Sequence, residues 1–188
     1  MDSEAAFERI MLPHLDSVYA LARRLTGSDA EAEDLAQDTF LRAYRSFGSF
    51  ELRQYGARPW LFKILHNVFY SRLERRRHQE IQLPEDVDVD AVSVRTAPEA
   101  ADAVSPAAAM NWDLFDEELK DAVMTLAPEY REVLLLWAME ELSYKEIAEV
   151  CGCALGTVMS RLYRARRQIA EKLSDYARRT GIRGNVET

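Results

Sequence analysis

The chain has 188 residues, enough for one large or two small domains, and 48% of them are hydrophobic, so it can form folded cores. No apolar run approaches the roughly 20 residues that a membrane-spanning helix needs, and the acidic start of the chain lacks the apolar core of a signal peptide. We therefore expect a cytoplasmic protein. The net charge of −8 argues against a protein that binds nucleic acid on its own.

The first predicted element is an amphipathic helix over residues 3–25, in which apolar residues recur at steps of three and four. Pro13 is expected to bend this helix or to mark a new start. Gly27 is a natural helix terminator, and Ser28 can cap the helix that follows.

The second predicted helix covers residues 29–46, and its two sides differ in character. One side can face a core through Leu35, Ala36, Thr39, Phe40 and Ala43. The other side carries Asp34, Gln37, Asp38, Leu41 and Arg42. This side is either a solvated acidic face or a surface for a protein partner. The exposed leucine among carboxylates favours the second interpretation.

A loop over residues 47–58 leads to a third predicted helix over residues 59–78, in which Pro59 fits the first helical position. Trp60, Ile64 and Val68 are expected to pack inward, together with Leu61, Leu65 and Leu73. A second face is predicted to carry Lys63, Asn67, Tyr70 and Arg72, followed by Arg75, Arg76 and Arg77. Aromatic rings beside cations and an amide suit single-stranded DNA. The alternative is a core helix with a basic solvated end.

The segment 79–112 is strongly acidic, with seven acidic residues and one arginine. It shows no lasting amphipathic period, so we expect a mostly disordered linker. The net charge is +1 over residues 1–78, −6 over 79–112 and −3 over 113–188. Local arginine clusters in an acidic chain suit a protein that meets DNA as part of a larger assembly.

The last domain is predicted to contain four helices. One covers residues 113–126, Pro128 opens the next, and two more are joined by a short turn at Gly152, where a positive φ is expected. Ser143 and Glu146 fit a capping box at the start of the helix that precedes this turn. The tail beyond Thr180 is expected to fray.

The final helix of this domain has a buried stripe and a polar outer face. The stripe is formed by Val158, Leu162, Ala165, Ile169 and Leu173. The outer face carries Thr157, Ser160, Arg161, Arg164, Arg167 and Gln168. The pattern predicts a helix-turn-helix whose second helix enters the major groove, although an arginine-rich helix is also often only a solvated face.

The two cysteines, Cys151 and Cys153, lie in the predicted turn. The three histidines are far away in the sequence, so the pair is a poor metal site, and we interpret both cysteines as packing residues. A redox role is the alternative. The sequence predicts no metal, no cofactor, no small-molecule substrate and no catalytic residues, since it contains no nucleophile–base arrangement.

Three segments of the chain resemble one protein family. The run EIAEVCGCALGTVMSRLYRAR resembles the promoter-reading fourth region of bacterial sigma factors, in particular the extracytoplasmic-function (ECF) group. The A-E-D-L-x-Q-D-x-F-L pattern and the W-L-x-[KR]-I-x-x-N pattern resemble the second region of the same family. The resemblance covers both predicted domains in the correct order.

The resemblance implies an all-α fold and a role in transcription. A region 2-like domain would cover residues 1–78, the linker 79–112, a region 4-like domain 113–180 and a tail 181–188. The protein would bind the RNA polymerase core, through the clamp of the largest subunit and the flap of the second subunit. It would recognise the minus-ten and minus-thirty-five elements of promoter DNA and initiate transcription. An anti-sigma factor, membrane-associated or zinc-binding, is also implied.

The same resemblance assigns residues to each contact. Asp34, Gln37, Asp38, Leu41 and Arg42 would bind the core polymerase. Trp60, Lys63, Asn67, Tyr70, Arg72, Arg75 and Arg76 would bind the minus-ten element, with help from the loop 49–56. Thr157, Ser160, Arg161, Tyr163, Arg164 and Arg167 would bind the minus-thirty-five element. Met159 replaces the lysine or arginine that many relatives carry, which removes one contact.

Alternatives stay open at this point both for the linker and for the class of the protein. The linker either threads toward the polymerase active site and the RNA exit channel, mimicking nucleic acid by its charge, or is a plain tether. The chain could also be an autonomous helix-turn-helix regulator that binds duplex DNA without polymerase. A protein-binding helical adaptor is the third class, but it leaves the arginine face unexplained.

Overall fold

The structure, a computed structural model, describes residues 3–50, 56–80, 112 and 116–180. The predicted linker lies outside the described residues except for residues 79–80 and 112, and so do the predicted tail 181–188 and residues 51–55 of the loop. Every regular element in the described ranges is a helix, which confirms the predicted all-α class. The chain divides into two compact units. The first contains the helices before residue 81, and the second contains those after residue 116 except Glu149–Gly152, which group with the first.

The first unit contains four α-helices. They are α1 (Ser3–Met11), α2 (Leu15–Thr26), α3 (Asp29–Ser46) and α4 (Ala57–Glu80), with 3₁₀ turns at Leu12–His14 and Phe47–Ser49. The helix predicted over residues 3–25 is therefore divided in two. Pro13 lies in the dividing turn, where its missing N–H and fixed φ are tolerated.

Local signals define both ends of the α2–α3 connection. Gly27 adopts a left-handed φ of 73°, and its N–H donates to the carbonyl of Arg23 at 2.8 Å. The Ser28 side chain then accepts a hydrogen bond from the N–H of Glu31 at 3.5 Å. The predicted terminator and cap are thus confirmed, and α3 has the predicted bounds.

Helix α4 is the central helix of the first unit, because it contacts α1, α2 and α3. Its large buried side chains are Leu61, Phe62, Leu65, Val68 and Phe69. The prediction that Trp60, Ile64 and Leu73 pack inward is wrong in degree, since all three are only half-buried. Contact with three neighbours requires a buried arc wider than one stripe, which is why two unpredicted phenylalanines are buried. Pro59 is the third helical residue and not the first.

The second unit contains α5 (Glu117–Met124), α6 (Pro128–Ala138), α7 (Tyr144–Cys151) as far as Ala148, and α8 (Leu155–Thr180). Helices α5 and α6 both pack on α8. Helix α5 ends at Met124 and not at residue 126, and its predicted start at residue 113 lies outside the described residues. Pro128 occupies the first turn of α6 as predicted, where its missing N–H costs nothing.

The predicted capping box of α7 is present. The N–H of Ser143 donates to Glu146 Oε2 at 2.8 Å, and the N–H of Glu146 donates to Ser143 Oγ at 3.3 Å. Gly152 has the expected positive φ of 60° in the turn between α7 and α8. The exposed Glu141, in the loop between α6 and α7, also has a positive φ, of 53°.

Candidate functional site

Helix α3 presents an acidic and apolar face to solvent. The predicted core-binding residues Asp34, Gln37, Leu41 and Arg42 are exposed, and Asp38 is half-exposed. Leu41 keeps 48% of its surface in solvent, and Tyr44, one turn further on, keeps 50%. Tyr44 was not predicted as part of this face, although its spacing of three residues from Leu41 was a usable signal. The face therefore combines carboxylates with exposed apolar surface, which suits a protein partner.

One face of α4 combines aromatic, cationic and amide side chains. Lys63 and Asn67 are exposed, while Trp60 and Tyr70 are half-buried. Steps of three, four and three residues place these four side chains on the same side of the helix. The Trp60 ring lies 4.8 Å from that of Phe50, between centroids. The Tyr70 ring lies 4.6 Å from that of His66, so Lys63 and Asn67 are presented to solvent between two supported rings.

Arg72 and Arg76 lie on a different side of α4 and contact α3. Arg72 Nη2 donates to Asp38 Oδ2 at 2.5 Å and to the carbonyl oxygen of Asp34 at 2.9 Å. Arg76 forms an ion pair with Glu31 at 3.0 Å. The prediction that Arg72 shares a face with Lys63, Asn67 and Tyr70 is therefore wrong. Five residues beyond Asn67 correspond to a rotation of about 140° around the helix axis, which turns the side chain toward α3.

The Arg72 contact joins two sets of residues that the sequence analysis treated separately. Asp38 belongs to the predicted polymerase face and Arg72 to the predicted minus-ten set. Arg75 is exposed, and its Nε donates to the carbonyl of Ser71 at 3.1 Å. Arg75 therefore stays on the solvent side of α4, whereas Arg72 and Arg76 hold α4 against α3.

The outer face of α8 carries the predicted minus-thirty-five residues. Val158, Leu162 and Ala165 are buried, as predicted for the stripe, while Ile169 and Leu173 are half-buried. Thr157, Ser160, Arg161 and Arg164 are half-buried, and Tyr163 and Arg167 are exposed. Tyr163 keeps 67% of its surface in solvent. The residues thus form a continuous polar surface along one side of the helix.

The arginines of α8 have different partners. Arg167 Nε donates to Glu171 Oε1 at 2.8 Å within the helix, in an exposed ion pair. Arg164 Nη1 donates to the hydroxyl oxygen of Tyr130, on α6, at 3.2 Å. Arg166 lies over the Trp137 ring, 4.1 Å from its centroid. The sequence analysis did not identify the last two contacts, because they join residues on different helices.

Burial of Cys153 keeps its thiol protonated. The residue is half-buried, and burial raises the pKa of its thiol above the usual 9.0, against a smaller lowering by Arg161. The thiol is therefore protonated at neutral pH, and protonated thiols are weak nucleophiles and weak metal ligands. This supports the interpretation of Cys153 as a packing residue.

Within the described ranges, none of the helices is both long and apolar enough to span a membrane.

Two family models match the chain: Sigma-70 region 2 matches residues 10–79, and Sigma-70 region 4 matches residues 116–169. The first match covers α2, α3 and most of α4, and the second begins just before α5 and ends within α8.

Relatives from several bacteria align with nearly the whole chain. The ECF RNA polymerase sigma factor SigW of Bacillus subtilis is 31% identical over 170 residues, which are 90% of this chain and 90% of SigW. The ECF RNA polymerase sigma factor SigE of Mycolicibacterium smegmatis is 34% identical over 176 residues, and the chain spans 64% of its length.

Solved structures agree with the sequence relatives. The sigma factor RpoE in its complex with the anti-sigma factor NepR from Bartonella quintana has a TM-score of 0.64 at 34% identity. The match covers 87% of this chain and 94% of RpoE. CnrH, in complex with the cytosolic domain of CnrY, has a TM-score of 0.60 at 22% identity, and that likeness supports the fold alone. The chain therefore belongs to the ECF RNA polymerase sigma factors, which are transcription initiation factors, as its sequence motifs predicted.

Proposed function

We propose that this chain binds the RNA polymerase core, directs it to promoters with defined minus-ten and minus-thirty-five elements, and initiates transcription there. Membership of the family carries the proposal, and the exposed α4 and α8 faces supply the residues for it. Residues 1–78 would bind polymerase and the minus-ten element, and residues 113–180 the minus-thirty-five element. The acidic segment 79–112 would connect them. The chain would work in the cytoplasm, where bacterial polymerase is found, and would leave bond formation to the polymerase.

The α3 face is assigned to the core polymerase. Asp34, Gln37, Asp38, Leu41 and Arg42 would contact the clamp of the largest subunit. Exposed Leu41 supports this assignment, because burying the 48% of its surface that is still in solvent contributes roughly 0.7–1.5 kcal/mol that a merely solvated helix would not gain. Tyr44 extends the same apolar surface by one turn.

The α4 face is assigned to the melted minus-ten element. Lys63 would follow a phosphate, Trp60 and Tyr70 would stack on unpaired bases, and Asn67 would bind a base edge through its amide. The exposure of Lys63 and Asn67 supports these roles. Arg75 would add a phosphate contact. Arg72 and Arg76 would reach DNA only by exchanging Asp38 and Glu31 for phosphates.

The α8 face is assigned to the duplex of the minus-thirty-five element. Residues 155–179 hold seven Lys and Arg residues against two acidic residues, so this helix is positive within an acidic chain. Thr157, Ser160, Arg161, Tyr163, Arg164 and Arg167 would contact bases and phosphates. The ion pair of Arg167 is no obstacle, because an exposed pair of this kind contributes only about 0–1 kcal/mol.

Two further partners follow from the family. The flap of the second polymerase subunit would bind the second unit, and an anti-sigma factor would compete with polymerase for the chain. The solved RpoE complex with NepR supports the second partner, since RpoE is 34% identical to this chain.

Reconstitution with core polymerase tests the proposal. The chain and core polymerase together should produce discrete run-off transcripts from a pool of genomic fragments, whereas neither component alone should do so. Aligning the transcript starts would reveal the two promoter elements. Tight and sequence-specific duplex binding by the chain alone, without any transcripts, would instead favour an autonomous regulator.

A further inference from the structure

A hydrogen bond between two helices of the second unit orients one arginine of the proposed reader helix. Tyr130 is the third residue of α6, and its hydroxyl oxygen accepts a hydrogen bond from Arg164 Nη1 at 3.2 Å. Both side chains are half-buried, and 34 residues separate them in the sequence. The contact is therefore part of the tertiary structure of the unit and not of either helix alone.

The hydrogen bond to Tyr130 leaves Arg164 able to bind DNA. A guanidinium has five N–H donors in a planar fork, so one bond to Tyr130 leaves donors for a base edge or a phosphate. A tyrosine hydroxyl is neutral and adds no counter-charge. Arg167 differs, because its Nε donates to the carboxylate of Glu171. Arg164 is thus held in place while its positive charge is retained.

A second aromatic residue of α6 contacts the other flank of α8. Trp137 follows Tyr130 by seven residues, which is two helical turns, so both project from the same side of α6. The guanidinium of Arg166 lies 4.1 Å from the Trp137 ring centroid. Arg164 and Arg166 lie on either side of the buried Ala165, each about 100° from it around the helix axis. The two contacts therefore oppose rotation of α8 about its own axis.

We propose that Tyr130 is a positioning residue that sets the orientation of Arg164 for reading the minus-thirty-five element. The inference rests on the proposed function of α8. A free arginine side chain loses rotamer freedom when it binds, and a side chain that is already held loses less. Base-edge contacts also depend on the direction of the guanidinium fork more strongly than phosphate contacts do. Tyr130 thus favours the correct sequence over others and contributes less to general DNA affinity.

A double-mutant cycle in the holoenzyme tests the inference. Binding to a promoter duplex with an intact upstream element is compared with binding to the same duplex carrying a scrambled element. Tyr130→Phe should lower the preference for the intact element about threefold to tenfold, the range expected for one immobilised side chain. Arg164→Ala should lower it as well, and adding Tyr130→Phe to that variant should change nothing further.

Tyr176→Phe is the matched control. The Tyr176 hydroxyl donates to Glu118 Oε1 at 2.6 Å, so this change also removes one interhelical hydrogen bond from the same unit, at a site outside the proposed reader face. Its preference for the intact element should equal that of the unsubstituted chain. Thermal unfolding of all variants separates lost stability from lost specificity.

Each outcome decides a different part of the proposal. The positioning role of Tyr130 is overturned if Tyr130→Phe leaves the preference unchanged. It is also overturned if adding Tyr130→Phe to Arg164→Ala causes an equal further loss. Neither result contradicts the proposed function of α8. A normal preference in Arg164→Ala removes Arg164 from the reader face, and the inference fails with it. Should Tyr130→Phe not fold, side-chain NMR of the unsubstituted chain replaces it. Separate Nη signals for Arg164 are expected from hindered guanidinium rotation, and one averaged signal would overturn the contact.

Discussion

Replacing Asp38 by asparagine separates the proposed polymerase contact from the stability of the first unit. The change keeps the size of the side chain and removes its charge, so it breaks the ion pair with Arg72. If Asp38 binds polymerase, the variant should lose affinity for the core far more than it loses folding stability.

The expected loss of stability is small for two reasons. The Asp38 side chain is 44% exposed and that of Arg72 is 24% exposed, and partly exposed ion pairs contribute about 0.2–1 kcal/mol. Arg72 also keeps its hydrogen bond to the carbonyl of Asp34 at 2.9 Å, so its charge is not left without an acceptor. The free energy of unfolding should therefore fall by at most about 1 kcal/mol, or roughly 4–8 °C in the melting temperature of a domain of this size.

The expected loss of polymerase binding is larger. Truncating one partner of a buried, hydrogen-bonded charge contact at an interface costs roughly 2–5 kcal/mol. Even 2 kcal/mol weakens binding by about thirtyfold. Competition of labelled and unlabelled chains for a limiting amount of core polymerase measures this change, and chemical unfolding of the free chain measures stability.

Asp29→Asn is the matched control for Asp38→Asn. Asp29, the first residue of α3, forms a 2.5 Å ion pair with Arg23 and lies outside the proposed polymerase face. It should lose a similar amount of stability and keep normal affinity for the core. Normal holoenzyme assembly by Asp38→Asn, or equal weakening by Asp29→Asn, would refute the assignment of this face.

Three further changes test other parts of the chain. Ser143→Ala removes the capping box of α7 and should lower the free energy of unfolding by about 1 kcal/mol, whereas Ser174→Ala, in an exposed position on α8, should have little effect in the same thermal melts. Asn67→Ala should reduce permanganate reactivity of the promoter bubble and leave the closed complex intact, and an unchanged bubble would contradict the base contact. Burial, with a smaller contribution from Arg58, lowers the pKa of His14 below 6.5. The unfolded chain therefore takes up a proton at higher pH than the folded chain, so the stability present above pH 6.5 should fall as the pH is lowered through the folded value. Urea unfolding at several pH values should show a smaller fall in His14→Gln, and equal falls in both chains would contradict this account.

Local signals in the sequence were sufficient to predict the turns and helix caps, where a backbone group needs a particular residue close by in the chain. Gly27 and Gly152 both occupy turns with positive φ, and Ser28 and Ser143 both cap helices. Each signal spans at most four residues, so no tertiary information is required. The all-α class and the buried stripe of Val158, Leu162 and Ala165 followed from periodicity in the same way.

Contacts between helices could not be predicted because periodicity assigns faces and not partners. The pairs Arg72–Asp38 and Arg164–Tyr130 are each separated by 34 residues, and nothing in either local pattern names the other helix. The error at Arg72 has the same origin, since a basic residue near a basic face was grouped with it although its helical angle differs. The buried Phe62 was missed because α4 contacts three helices at once.

The positive φ of Glu141 means that a substitution in the loop between α6 and α7 can raise the stability of the protein. A residue with a side chain in the left-handed region costs about 1–2 kcal/mol, whereas glycine adopts it freely but loses roughly 0.5–1 kcal/mol more in chain entropy. Glu141→Gly should therefore gain about 0–1.5 kcal/mol, and a gain of about 1 kcal/mol lowers the unfolded population about fivefold. Glutamate and glycine codons differ at the second base alone. Because a change of this size can alter cellular abundance several-fold, one point mutation could raise the level of this protein without touching any proposed binding face.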